Sequence, residues 1–234
     1  MIKIKSKNQE YNLFNKLSDE WWDENGEFKI LHRIKPIRLE YVLSQFKDYK
    51  VKNLDILDIG CGGGLVSEPL CKLGGNVTGI DFSENNIDIC KFRAEKNNLK
   101  IKYICNDIEK INLKKKYDLI IMFEVLEHLE DWKKFLVKIK RNLKTNGKII
   151  ISTINRNSLS RFLTIYLGEN VLNWIPKGTH DYNKFIKPEE INIAIKKIKP
   201  KSDNLKGLTF NPIVNEWYMS NSVKVNYFCT LKNI

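Results

Sequence analysis

Histidine and paired cysteine are what this chain most conspicuously lacks. Its 3 histidines are dispersed, and its 5 cysteines (Cys61, Cys71, Cys90, Cys105 and Cys229) show no CxxC spacing. That excludes a zinc cluster and a disulfide framework, and it reads as reduced thiols in a cytoplasmic protein. Long apolar runs are missing too. No stretch reaches the roughly 18 apolar residues of a spanning helix. The N-terminal MIKIKSKNQEY has lysines but no apolar leader core and no cleavage site. The expectation is a soluble protein, attached at most to a membrane surface. There is no internal repeat, no low-complexity linker and no composition shift, so the 234 residues, 42% of them hydrophobic, suit one sizeable domain. Acidic residues are comparatively scarce. The 28 Asp and Glu face 40 Lys and Arg, a formal charge of +12. Such an excess draws a protein toward nucleic acid, phospholipid head groups or an acidic ligand, although lysine mixed with Asn and Ile is also what biased codon usage produces.

What is present is a strand and helix alternation from residue 51 onward. Apolar runs at 54–60, 76–81, 101–107, 117–123 and 147–155 predict strands, and the patterns near 66–73, 85–97 and 132–143 predict helices between them. Short apolar strands separated by helices indicate a parallel sheet covered on both faces. Gly74-Gly75 and Asn146-Gly147 provide the punctuation before a following strand. An aromatic, acidic segment (EWWDENGEFKILHR) precedes a helix predicted to open at Pro36. After Asn155 a long aromatic insertion intervenes, followed by a helix with Pro188 in its first turn. The tail reads as two β-runs, LKGLTFNPIVNEW and VKVNYFCTLK, joined by MSNS into an antiparallel hairpin. The expected organisation is one domain: an N-terminal helical cap (1–50), a cofactor-binding core (51–155), a lid or membrane-facing insertion (156–187), and a C-terminal helix and hairpin (188–234).

The stretch LDIGCGGG puts Gly60, Gly62 and Gly64 at the turn after the first strand, where close backbone approach and a helix N-terminus suit a nucleotide-like ligand. Leu65 stands where a dinucleotide fingerprint needs its last glycine, which argues against a dehydrogenase. Asp81 ends the second strand, at the spacing of a ribose ligand, and Asn106-Asp107 ends the third, beside the expected adenine. Each has a structural alternative: Asp81 as a helix cap, Asp107 as a loop cap. Three successive strand ends together favour a cofactor site.

With these features the sequence resembles the class I S-adenosylmethionine-dependent methyltransferases. The segments at 21–42 (WWDENGEFKILHRIKPIRLEYV), 57–70, 123–129 (FEVLEHL), 152–157 (STINRN) and 176–190 narrow the resemblance to the ubiquinone-biosynthesis O-methyltransferases. It implies an α/β Rossmann-like fold with a mostly parallel seven-stranded sheet. It also implies methylation of a polyprenyl catechol (2-polyprenyl-6-hydroxyphenol) and of 3-demethylubiquinol. By position, Arg38, Gly60, Asp81 and Phe123 become cofactor contacts. Arg38 suits the methionyl carboxylate; as residues alone, it reads first as a solvated helix arginine, and Phe123 reads as a core aromatic. The implied partners are a polyprenylated phenol or quinol, an anionic membrane surface and other ubiquinone-biosynthesis proteins, with the protein peripheral at the inner membrane.

Glu124, Glu127 and His128 stand at i, i+3 and i+4, so a helix starting here would project all three to one side. The resemblance assigns them to a divalent metal, magnesium first, which would lower the phenol pKa and orient attack. A polar helix start is the plain alternative, and His128 as general base is the competing chemistry. His180 and Asp181 are candidates for closing the substrate site. The insertion, with Trp174, Tyr166, Arg156 and Arg161, would suit a bilayer interface or a simple lid. The basic charge keeps an RNA methyltransferase open, but FEVL stands where an NPPY-type loop would be, and no RNA-binding module is appended, so no nucleic-acid partner is expected. A non-catalytic cofactor-binding subunit is the remaining alternative.

Overall fold

The computed structural model describes residues 18–171, 181–196 and 202–232. Its strands are β1 (Asp55–Ile59), β2 (Asn76–Asp81), β3 (Lys102–Cys105), β4 (Tyr117–Phe123), β5 (Leu143–Ile154), β6 (Ser202–Asn211), β7 (Glu216–Ser220) and β8 (Asn226–Lys232). Helices α1 (Lys29–Ser44), α2 (Ser67–Lys72), α3 (Glu84–Lys96) and α4 (Trp132–Lys140) surround the first five strands. Helix α5 (Ser158–Ser160) continues as a π-helix, Arg161–Val171, and α6 (Pro188–Lys196) follows. The sheet runs β3-β2-β1-β4-β5-β8-β6-β7, parallel through β5 and antiparallel beyond it. Side chains alternate across a strand, and the core divides accordingly. Leu119 and Ile121 join Tyr41 and Val42 of α1 on one face. Ile120 and Met122 join Phe135 and Leu136 of α4 on the other.

Two local expectations differ. The first tail run is not one strand. Asn211 accepts a hydrogen bond from the Ile213 N–H, and Asn215 adopts φ of 55°, so the chain turns back at 212–215 and pairs Asn211 with Glu216. The expected seven strands become eight among the described residues. Likewise, α1 opens at Lys29 and holds Pro36 inside it. An internal proline removes one helix bond at a cost of about 3 kcal/mol. Burial of Ile34, Ile37, Tyr41 and Val42, each worth about 1.5–3 kcal/mol, outweighs it.

Candidate active site

β1 delivers the chain into the glycine loop, and the loop's shape is set by three contacts. Gly60, with φ of 67°, would bring a Cβ to 2.5 Å of Val125. At Gly62 and Gly63 a Cβ would lie 2.3 and 2.4 Å from the ring of Trp21, a residue of the 3-10 turn Ser18–Trp22. Those two glycines therefore accommodate the protein's own N-terminal segment. Trp22 secures the same strap: its indole donates to the Gly63 carbonyl at 2.8 Å, and its ring lies under the Arg93 guanidinium, which pairs with Glu68 at 2.8 Å.

Asp81, at the end of β2, is buried and accepts from the Gly62 N–H and the Ser83 N–H, both at 2.9 Å. Burial raises its pKa, and those backbone donors oppose the rise. The helix cap is Ser83 instead, which accepts from the Asn86 N–H. Asp107 does act as a loop cap, accepting from the Glu109 N–H at 3.0 Å, while also lining the cavity with Asn106.

At the opposite end of the loop stands a buried charge cluster. Arg38 reaches from α1, its guanidinium 3.6 Å from Glu124 and 5.2 Å from the Phe123 ring centroid. Burial lowers its pKa, opposed by Glu124, Asp58 and Glu127. Asp58, within β1, accepts from the Ser67 hydroxyl at 2.6 Å; burial pushes its pKa up to about 7, with Ser67 opposing and Asp81 reinforcing the rise.

The FEVLEHL segment does not begin an α-helix. Glu124 has φ of 54°, and only a 3-10 turn, Leu126–His128, follows. Its backbone N–H is held by the Ser152 carbonyl, and the Ser152 hydroxyl donates to its carboxylate at 2.7 Å. Glu127 points back to β5, accepting from Thr153 at 2.9 Å. Its pKa is raised, first by burial and then by repulsion from Glu124. Glu124 and His128 line a cavity of about 950 Å³ that Glu127 does not reach. Its lining includes Gly60, Gly62 and Asp81 and also the apolar side chains of Leu159, Leu163, Leu208, Phe210 and Trp217.

Residues 57–151 match the methyltransferase domain family. A ubiquinone biosynthesis O-methyltransferase of Rickettsia felis is 44% identical over 225 residues, covering 95% of this chain and 92% of that protein. One from Pelagibacter ubique is 43% identical, covering 94% of this chain and 95% of the relative. The chain belongs to the ubiquinone biosynthesis O-methyltransferases. Its fold is shared by the magnesium protoporphyrin IX methyltransferase of Synechocystis PCC 6803 with bound S-adenosylhomocysteine, at TM-score 0.70 and 17% identity over 98% of this chain and 100% of that one. The N-methyltransferase NodS of Bradyrhizobium japonicum WM9 aligns at TM-score 0.64 and 17% identity, over 96% and 98% of the two chains.

As a ubiquinone biosynthesis O-methyltransferase, the chain takes S-adenosylmethionine as its methyl donor. Arg38, Gly60, Gly62, Asp81, Asp107 and Phe123, all expected as cofactor contacts, line the one cavity. The expected three-ligand metal set is not assembled: among the described residues no three His, Cys, Asp or Glu side chains group to hold an ion. The left-handed Glu124 and the 3-10 turn abolish the helical spacing on which that expectation rested. What remains is a carboxylate pair, in which Glu124 Oε2 and Glu127 Oε1 are buried and without hydrogen-bond partners. Asp181 caps a 3-10 turn through the Asn183 N–H. His180 and Trp174 lie outside the described residues. Asp58, Trp21 and Asn86 were missed from the sequence; an aspartate interrupting an apolar strand was the signal for Asp58.

Proposed function

We propose that this enzyme methylates a phenolic hydroxyl of a polyprenyl catechol and of demethylubiquinol, the two acceptors its family resemblance implies. The observation that carries the reading is one cavity of about 950 Å³ whose lining joins the glycine loop and Asp81 to a set of apolar side chains that suit the start of a prenyl tail. Arg38 would pair with the methionyl carboxylate, and Asp58 would face the neighbouring ammonium, whose charge favours the ionised carboxyl. Asp81 retains acceptor capacity for the ribose hydroxyls. Asn106 and Asp107 flank the adenine, with Phe123 packed against the adenosyl group.

Chemistry then needs an oxygen aligned with the sulfonium methyl and a place for its proton. His128, facing the cavity, accepts the phenolic proton as the oxygen attacks the methyl carbon. The carbon–sulfur bond breaks, its electrons return to sulfur, and S-adenosylhomocysteine leaves. Two facing buried carboxylates such as Glu124 and Glu127 repel unless a proton or a cation lies between them. A divalent ion held there would supply Lewis acidity to the acceptor oxygens. On the π-helix that also sends Leu163 and Thr164 to the cavity, Phe162 and Tyr166 stack at 5.4 Å while remaining about half exposed, beside the exposed Arg161. That face and the +12 charge support docking on an anionic bilayer that holds the substrate.

The test is methyl transfer from labelled S-adenosylmethionine to a short-chain demethylubiquinol and to the corresponding catechol. Labelled methoxy products are expected from both. Tight cofactor binding without turnover on either acceptor would replace this reading with that of a cofactor-binding subunit.

A further inference from the structure

Asp81 can bind a ribose only if its two oxygens keep their free directions toward the cavity, and the structure shows what holds them. The Gly62 N–H takes Oδ2, while the Ser83 N–H and the Asn86 side-chain amide, at 3.3 Å, take Oδ1. Asn86 is almost fully buried, and its amide oxygen accepts from the Trp21 indole at 2.8 Å. An indole N–H can only donate, so it dictates which way the amide faces: oxygen toward Trp21, NH₂ toward Asp81. Without that donor the amide oxygen is left buried and unpaired, and only the long bond to Asp81 still holds the amide in place. A flipped amide would set two acceptors against each other in a buried site.

We infer that Trp21 is a positioning residue for ribose recognition, acting through Asn86 on Asp81. This rests on the reading that Asp81 takes the ribose hydroxyls. The same ring packs on Gly62 and Gly63, and Trp22 fastens the strap to the loop carbonyl, so one short segment sets both the loop and the carboxylate. The signal in the sequence is the Trp-Trp pair, which no motif connects to a glycine loop some forty residues later.

Trp21→Phe separates the hydrogen bond from the packing, because a phenyl ring still covers the glycines but cannot donate. The readout is the preference for S-adenosylhomocysteine over its 2′-deoxy analogue, measured as the ratio of inhibition constants against S-adenosylmethionine. That preference is expected to fall about tenfold in W21F, with KM for S-adenosylmethionine raised and kcat at saturation changed less than twofold. D81N is expected to lose the preference as well, and W21F/D81N to lose no more than D81N alone. Full ribose preference in W21F would overturn the role of Trp21. Undiminished preference in D81N would overturn the ribose assignment itself, and the inference with it. Should W21F fold poorly, Asn86→Ala breaks the chain at its middle link while the Trp22 tether to Gly63 stays in place, and retained preference there overturns the inference equally.

Discussion

Asp58 is the group whose replacement makes the sharpest quantitative statement about this fold. Its pKa moves from an ordinary 3.8 to about 7, driven by burial against the Ser67 hydrogen bond. Because the folded-state value lies above the unfolded one, the folded enzyme holds an extra proton between them. The stability this provides is complete below about pH 4 and is lost as pH rises through about 7. In full the difference amounts to about 4 kcal/mol. From about pH 5 to about pH 8.5, the part lost is about 3 kcal/mol. Asp58→Asn keeps an acceptor for Ser67 and has nothing to ionise, so it is spared this loss. Urea unfolding of the cofactor-free protein at the two pH values gives both stabilities by linear extrapolation. The parent should lose about 3 kcal/mol more than D58N over that interval. Parallel losses, agreeing within about 0.5 kcal/mol, would refute the placement of a protonated carboxyl beneath Arg38.

The remaining predictions concern the reaction and the membrane. His128→Asn should lower kcat by about 10²–10⁴-fold with little change in KM for S-adenosylmethionine; a kcat within threefold of the parent would remove His128 from proton transfer. Chelator identifies the occupant of the Glu124–Glu127 pair: turnover indifferent to it is expected for a shared proton, and turnover lost to it and restored by magnesium would put a divalent ion there instead. Replacing Phe162 and Tyr166 by Ser should weaken cosedimentation with phosphatidylglycerol vesicles about tenfold, without altering cofactor affinity. Unchanged cosedimentation would assign the docking face elsewhere.

In the parallel half of the sheet, β2 and β4 were legible because they are buried almost throughout, so they begin and end where their apolar runs do. Errors arose where tertiary contacts override a local signal. Pro36 usually marks a helix start, yet here packing of Ile30 and Ile34 draws the helix back to Lys29. In FEVLEHL the spacing suited a helix, but the backbone bond of Glu124 to Ser152 turns the chain into the left-handed region first. Trp21 was unreadable for a different reason: its partner Asn86 lies 65 residues away, and nothing local records that distance.

That distance also orders events during synthesis. At about 5–20 residues per second, several seconds separate the emergence of Trp21 from that of Asn86. For the first part of that interval neither indole has its acceptor, because the Gly63 carbonyl follows Trp22 by 41 residues; Asn86 comes later still. The newborn chain therefore leads with a sticky, unsatisfied segment whose landing site is the cofactor loop. On this reading, competence to bind the methyl donor waits for a segment made early to dock on a loop and a helix made later.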